Sequence, residues 1–496
     1  MYFLGVDLGS SSIKLAVFDA EQEKSLAAVS EPKTEMAMNA PEQGWAEQDP
    51  NQWWANFKTA LQRLQTEYNI DLQKIAGVGV AYQMHGLVLT DEALNPIRPA
   101  IIWCDSRAAE IGDKAFEEIG AEKCHDLILG SPGNFTASKL KWVKENEPSN
   151  YKQSKYMMLP GDYIAAKLSG KAQISKSGLS EAALWNFKEN RLAHEILDHF
   201  EIDTNIVPEI VSNFGEQAQI SATVAKSLGL NENVKITYRA GDQPNNALSL
   251  NVLEPGEIAT TAGTSAVIYT VSDNHAFDKD NRINTFLHVN NQEKENRNGV
   301  MVCINGSGIL YQWLRNTLSA GSDKPVSYEL LNELAAAAKP GSDDLLFYPF
   351  GNGVERIFQN KKATSGIQNL NFNIHKTPQL IRSACEGIVF AMYYGFEIMK
   401  EVGASGTKVR AGRDNLFLSP VFREIFVNTT NTTLELYNTN GADGAARGAA
   451  YGYGHFKTLK DAFKSLECLE QIKPDAELVE TYKHIYTNWK NQIKIQ

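Results

Sequence analysis

The strongest constraint on this chain is a pattern that occurs twice. Tyr2 to Val6 and Ile13 to Val17 are strand-like, and between them lie Asp7 and a polar turn of Gly9, Ser10, Ser11 and Ser12. Alternating β-branched and aromatic residues favour strands. Gly9 admits backbone torsions that larger residues resist, and three hydroxyls stand beside unpaired N–H groups. Taken singly, this is either an ordinary hairpin with a polar turn or a cradle for phosphate oxygens, with Asp7 placed to orient a metal ion or its waters. Residues 257–271, EIATTAGTSAVIYTV, repeat the scheme with Gly263, Thr264 and Ser265 in the turn. Repetition at this separation indicates duplicated domains, because solenoid periods are only tens of residues. A nucleotide between two such turns would have its phosphates gripped from both sides.

Length supports a duplication, since 496 residues exceed one ordinary core. The formal charge of −11 argues against a broad nucleic-acid surface, which needs clustered Lys and Arg. Five scattered cysteines without a Cys-x-x-Cys pair signal neither a zinc site nor a disulfide framework. The N-terminus enters a strand without the regions of a signal peptide, and no apolar run reaches the roughly 18 residues of a membrane span. A cytoplasmic protein with no membrane or nucleic-acid partner is expected.

Helix-like and strand-like stretches alternate through the first half, as in an α/β domain. Asp49-Pro50 opens a helix to Tyr68, Ile75 to Tyr82 (IAGVGVAY) reads as a buried strand, and further helices follow Ser106 and surround Leu140 to Lys144. A strand at Lys235 to Ala240 closes this half, and Asn251 to Gly256 is a hinge candidate. Thr377 to Val402 reads as a long core helix of the second half, and the polar segment Ser272 to Asn298 as a mobile excursion.

Three further clusters carry candidate chemistry. Gln83-Met84-His85-Gly86 follows the IAGVGVAY strand, where a histidine can meet a ligand hydroxyl or serve as a structural turn residue. Arg239 to Asn246 (RAGDQPNN) places Asp242 after a strand and a glycine, where α/β proteins bind ligands. Asp242 could take a proton from an alcohol, and Gln243, Asn245 and Asn246 could bind hydroxyls or phosphates; the plain reading is a capped turn before a helix. Val409 to Pro420 reads as strand, glycine loop and a helix capped by Ser419, while Gly441 to Ala450 is a small-residue helix suited to close packing. No P-loop, protein-kinase set or dinucleotide fingerprint follows the first strand.

Together these segments resemble the FGGY carbohydrate kinases of the actin-like, ribonuclease-H-like ATPase superfamily. GVDLGSSSIK is similar to the first phosphate motif, AGTSAVIY at 262–269 to the second, and AGDQ at 240–243 to the motif holding the catalytic aspartate. QMHGLV at 83–88 and IIWCDSRA at 101–108 resemble the sugar-side segments of the branch acting on D-xylulose; ASKLKWVKENEP at 137–148 and LPGDYIAAKLSG at 159–170 also match in kind. The resemblance implies an α/β fold of two ribonuclease-H-like domains with a cleft between them, residues 1–248 binding sugar and 249–496 binding nucleotide. It implies ATP-dependent phosphorylation of a ketopentose, with ribulose, gluconate and glycerol as rival acceptors and a non-kinase actin-like ATPase as the rival of another class.

Under this resemblance Asp242 is the general base, and Asp7 organises Mg²⁺ through water. Met84, His85, Asp242 and Gln243 hold the sugar. Ser11, Ser12, Lys14, Gly263, Thr264 and Ser265 hold phosphates, with Gly412 and Asn415 beside the adenosine. A homodimer is compatible with the resemblance. Three departures stand out. Gln243 replaces the usual Asn after Gly-Asp, and Ala411-Gly412 replaces the family's paired glycines. Phe347 to Arg356 (FYPFGNGVER) is an altered form of a Gly-Glu-Arg segment.

Overall fold

The computed structural model describes residues 1–496 apart from 322, 323, 354, 360, 362, 495 and 496, so Val354 of the FYPFGNGVER segment lies outside the described residues. Two large sheets organise it. The first contains β1 (Tyr2–Leu8), β2 (Ile13–Asp19), β3 (Lys24–Glu31), β4 (Ile75–Tyr82), β5 (Phe214–Gln219) and β6 (Lys235–Gly241), in the order β5-β6-β4-β1-β2-β3. The second contains β7 (Glu257–Ala262), β8 (Ala266–Ser272), β9 (Asn284–Leu287), β10 (Asn298–Ile304), β11 (Lys408–Gly412), β12 (Thr433–Tyr437) and β13 (Cys468–Ile472), in the order β9-β10-β8-β7-β11-β12-β13.

With β9 set aside, the two sheets share order and direction. Each begins with three antiparallel strands, then adds two parallel ones beside the first, then an antiparallel edge. The duplication read from the two turns is therefore a duplication of whole α/β domains of ribonuclease-H-like form. The turn Gly9–Ser12 joins β1 to β2, and Gly263–Ser265 joins β7 to β8.

Local sequence explains the main elements. Phe3, Leu4, Val6 and Leu8 of β1 are fully buried, and so is most of IAGVGVAY, which has neighbours on both faces. The helix Pro50–Tyr68 starts where the Asp49 side chain accepts from the Asn51 N–H, and it buries Trp53, Phe57, Ala60, Leu61 and Leu64. Thr377–Glu401 runs through the core of the second half. Cys104, Cys124, Cys385 and Cys468 are free thiols. Among the described residues, no helix is long and apolar enough to cross a membrane.

The small-residue helix, Gly441–Gly452, follows β12 but packs on the first sheet. A Cβ on Gly5 would collide with the Ala442 carbonyl, and one on Gly79 with the Ala445 carbonyl. The helix after β6, Asp242–Ser249, crosses it: a Cβ on Gly444 would stand 2.5 Å from Ser249 Cβ, and Asn245 Nδ2 donates to the Gly441 carbonyl at 2.8 Å. Helices from equivalent places in the two halves thus meet behind the cleft.

The Ser272 to Asn298 segment differs from the expected excursion. Its β9 pairs with β10, Phe286 is buried, and the Leu287 N–H donates to Ser180 Oγ at 3.0 Å. Polar composition misled because polar groups of the segment are paired with the rest of the fold: His288 Nδ1 meets Tyr269 Oη at 2.8 Å and its Nε2 meets the Val252 carbonyl at 3.1 Å.

Candidate active site

Both turns are prepared for an anion by the way their carbonyls are occupied. The Ser12 carbonyl accepts from Gly9 N–H at 3.0 Å, the Ser11 carbonyl from Met36 N–H at 2.8 Å, and the Ser10 carbonyl from Gln48 Nε2 at 2.6 Å. In the second turn the Gly263 carbonyl accepts from Gly308 N–H at 2.7 Å, and the Thr264 carbonyl from Ile309 N–H at 3.3 Å. Carbonyl dipoles that would repel phosphate are thereby engaged, which favours the remaining hydroxyl and N–H donors as anion contacts.

A cavity of about 570 Å³ lies between the halves. It is lined by Asp7, Ser11, Ser12, Lys14, Met84, His85, Asp242, Gln243, Thr264 and Ser265, so one space gathers both turns, the Met84-His85 segment and the Asp242-Gln243 segment. Gly263 lies just behind, where a Cβ would stand 3.8 Å from Asn415 Nδ2. Gly412 ends β11 beside Asp414 and does not line this cavity. The proposed adenosine residues thus form a separate group that touches the second turn through Asn415.

Asp242 is the first residue of its helix, directly after β6, with no intervening loop. A helix N-terminus favours the ionised form. Here burial dominates and, with the charge of Asp7, pushes the carboxyl up to about 7. Asp7 is also raised by burial, against the opposing pull of Lys14, its register partner on β2. His85 is pushed down to about 3 by burial and by the charges of Lys139 and Arg356, so its imidazole is neutral near pH 7. Its ring lies between Phe135 (centroids 4.7 Å apart) and Phe286 (5.3 Å), one from each half.

Oxygen donors suit a hard cation, and Asp7 and Asp242 supply two carboxyls in one cavity. Among the described residues no group of three His, Cys, Asp or Glu side chains could hold a metal by itself. The site therefore fits Mg²⁺ that brings other oxygen ligands with it, such as phosphates and water.

Sequence reasoning did not single out every residue that shapes this site. Trp103, 44% exposed, lines the cavity, whereas Asp105 and Arg107 of the same Trp-x-Asp-x-Arg segment are structural. Asp105 accepts from the Ala46 N–H at 2.6 Å, and the Arg107 guanidinium lies 3.7 Å from the Trp45 ring centroid and 4.8 Å from that of Trp142. Gln48 was signalled by nothing local, yet its Oε1 also accepts from Gln83 Nε2 at 3.1 Å, tying the first turn to the segment that carries Met84 and His85. Asn245 corrects an expectation: it is wholly buried against the Gly441–Gly452 helix instead of facing a ligand.

Comparison with known proteins agrees with this geometry. Residues 2–249 match the N-terminal domain of the FGGY family of carbohydrate kinases, and residues 258–452 match its C-terminal domain. A xylulose kinase of Staphylococcus xylosus is 25% identical over 495 residues, covering 99% of each chain. A xylulose kinase structure from Rhodospirillum rubrum superposes with a TM-score of 0.87 at 21% identity, covering 99% of this chain and 98% of that one. A gluconate kinase structure from Lactobacillus acidophilus gives 0.88 at 22% identity, covering 99% and 97%. The two likenesses at these identities establish a common fold, and the two domain matches establish kinship: this chain belongs to the FGGY family of carbohydrate kinases.

Proposed function

We propose that this carbohydrate kinase transfers the terminal phosphoryl group of ATP to D-xylulose, giving D-xylulose 5-phosphate, with Asp242 as general base. The observation that carries the reading is the position of Asp242, beside Met84 and His85 and in one cavity with both phosphate turns. Phosphoryl transfer has a loose transition state, so catalysis rests on positioning and charge stabilisation. A carboxyl near 7 can align the attacking hydroxyl and accept its proton as the new bond forms.

In this reading Met84, neutral His85 and Gln243 fix the sugar, with residues 1–248 supplying the sugar side. Ser11, Ser12, Lys14, Gly263, Thr264 and Ser265 hold the phosphates, and Gly412 and Asn415 flank the adenosine on the side supplied by 249–496. Mg²⁺, when bound with the nucleotide and steadied by Asp7 through water, would neutralise phosphate charge. Apposition of the two halves would keep water, the competing acceptor, from the phosphoryl group. An ATP-consuming sugar kinase of this kind belongs in the cytoplasm.

Full-length similarity to xylulose kinases supports D-xylulose as the acceptor. ADP release measured with D-xylulose, ribulose, gluconate and glycerol tests it. Strong stimulation by D-xylulose is expected. Preference for another acceptor would reassign the substrate, and hydrolysis indifferent to every sugar would remove the kinase reading of the cleft.

A further inference from the structure

His85 has a backbone φ of 60°, in the left-handed region that a residue with a Cβ adopts sparingly. Such a conformation persists only where the surroundings hold it, and here both peptide groups of the residue are held by buried ionisable side chains. The His85 N–H donates to Glu181 Oε2 at 3.3 Å, and the imidazole Nδ1 lies 3.0 Å from the Glu181 carbonyl. On the other side, Lys139 Nζ donates to the His85 carbonyl at 2.8 Å and to the Ile102 carbonyl at 3.0 Å.

Neither side chain is an economical way to fill a core. Lys139 is wholly buried and Glu181 is 1% exposed. Burying an ammonium group whose donors go to neutral carbonyls is unfavourable compared with an apolar side chain of similar size. What the two groups achieve is geometric. Ile102 precedes Trp103, so Lys139 joins the two segments that carry Trp103 and His85 into the cavity. Glu181 lies under the end of β6, where a Cβ on Gly241 would stand 3.2 Å from its Oε2, and so packs between His85 and the residue before Asp242.

We propose that Lys139 and Glu181 are positioning residues for the acceptor sugar, which hold the strained His85 backbone in place and with it the spacing between His85, Trp103 and Asp242. The proposal rests on the reading of His85 as a sugar contact, and a double-mutant cycle separates the two.

His85→Ala, Lys139→Met and the double variant would be assayed with D-xylulose and ATP, alongside thermal melting. Lys139→Met should raise the sugar KM by about tenfold while the ATP KM stays within about twofold. In the His85→Ala background the same change should add clearly less than it does in wild type, because the imidazole it positions is gone and only the placement of Trp103 remains to be lost. Glu181→Leu should behave likewise, and Glu181→Gln, which keeps an acceptor oxygen, should restore most of the sugar affinity. If Lys139→Met does not fold, the cycle with Glu181→Leu carries the test.

Additive effects in the cycle, or equal changes in both KM values, would overturn the positioning role while leaving His85 as a sugar contact. An unchanged sugar KM in His85→Ala alone would instead overturn the reading of His85 on which the proposal rests.

Discussion

Asp242 holds its proton up to about pH 7 because it is buried in a cleft that it shares with a second carboxylate, Asp7. The relationship is built by the fold. Asp7 comes from β1 and Asp242 from the helix after β6, and β4 lies between those strands, parallel to both. The carboxyl ends of parallel strands are where α/β domains gather ligands. Two carboxyls there repel each other until a proton or a cation intervenes.

One consequence is a pH dependence of stability with a definite sign. In the unfolded chain Asp242 ionises near its ordinary value of 3.8, but in the ligand-free fold only near 7. Between those values the folded state binds the extra proton, so stability is lost as pH rises and the loss is complete above about 7. Asp242→Asn escapes that loss. Its melting temperature should match wild type near pH 4 and exceed it at pH 8, by the equivalent of about 1 kcal/mol or more. A difference that is constant with pH would contradict the assignment.

The same substitution should remove the base without removing the site. Asp242→Asn is expected to bind D-xylulose within a modest factor of wild type and to lose roughly 10²–10⁴-fold in turnover. Calorimetric binding and steady-state rates on one preparation check both halves of the statement, and near-normal turnover would refute the role of Asp242.

His85 and Asp242 are separable by pH. His85 is neutral far below physiological pH, pushed down to about 3, whereas Asp242 titrates near 7. His85→Ala should therefore raise the sugar KM by about tenfold or more, with much less effect on the ATP KM. The acid limb of its kcat/KM profile should stay where wild type has it. Movement of that limb would make His85, not Asp242, the titrating group.

What the sequence made legible was local. Alternation with a Gly and hydroxyl turn marked both hairpins, Asp49-Pro50 and Ser419-Pro420 marked helix starts, and AGDQ marked the strand end that carries Asp242. What it hid was long-range. Lys139 lies in ASKLKWVKEN, where a lysine reads as part of a solvated helix face, and only the approach of His85 and Ile102 makes it a buried donor. Glu181 sits in a helix whose partners are remote in the chain, so no spacing reveals it. Asn245 looked like nearby Gln243, yet two helical positions separate a cavity wall from a packed interface. The Gly441–Gly452 composition foretold close packing but not that the neighbour would be the other half's sheet.

That interface makes the last prediction, which links packing to catalysis. Gly441 begins the small-residue helix against Asp7: a Cβ there would collide with Asp7 Oδ2 and stand 2.9 Å from Asp7 Cγ and 3.2 Å from Asn246 Oδ1. Asp7 cannot retreat freely, because β1 is packed between β2 and β4. Gly441→Ala should therefore displace the Asp7 carboxylate, with displacements approaching 1 Å costing up to about 10²-fold in turnover. The sugar KM should change little, because Met84 and His85 are carried by a different segment. Gly79→Ala offers the control. Its Cβ would collide with the Ala445 carbonyl deeper in the same interface, and it should lower stability by about 1–3 kcal/mol with a smaller effect on turnover per folded molecule. Equal losses of turnover per folded molecule in the two variants would show that Gly441 has no particular bearing on Asp7.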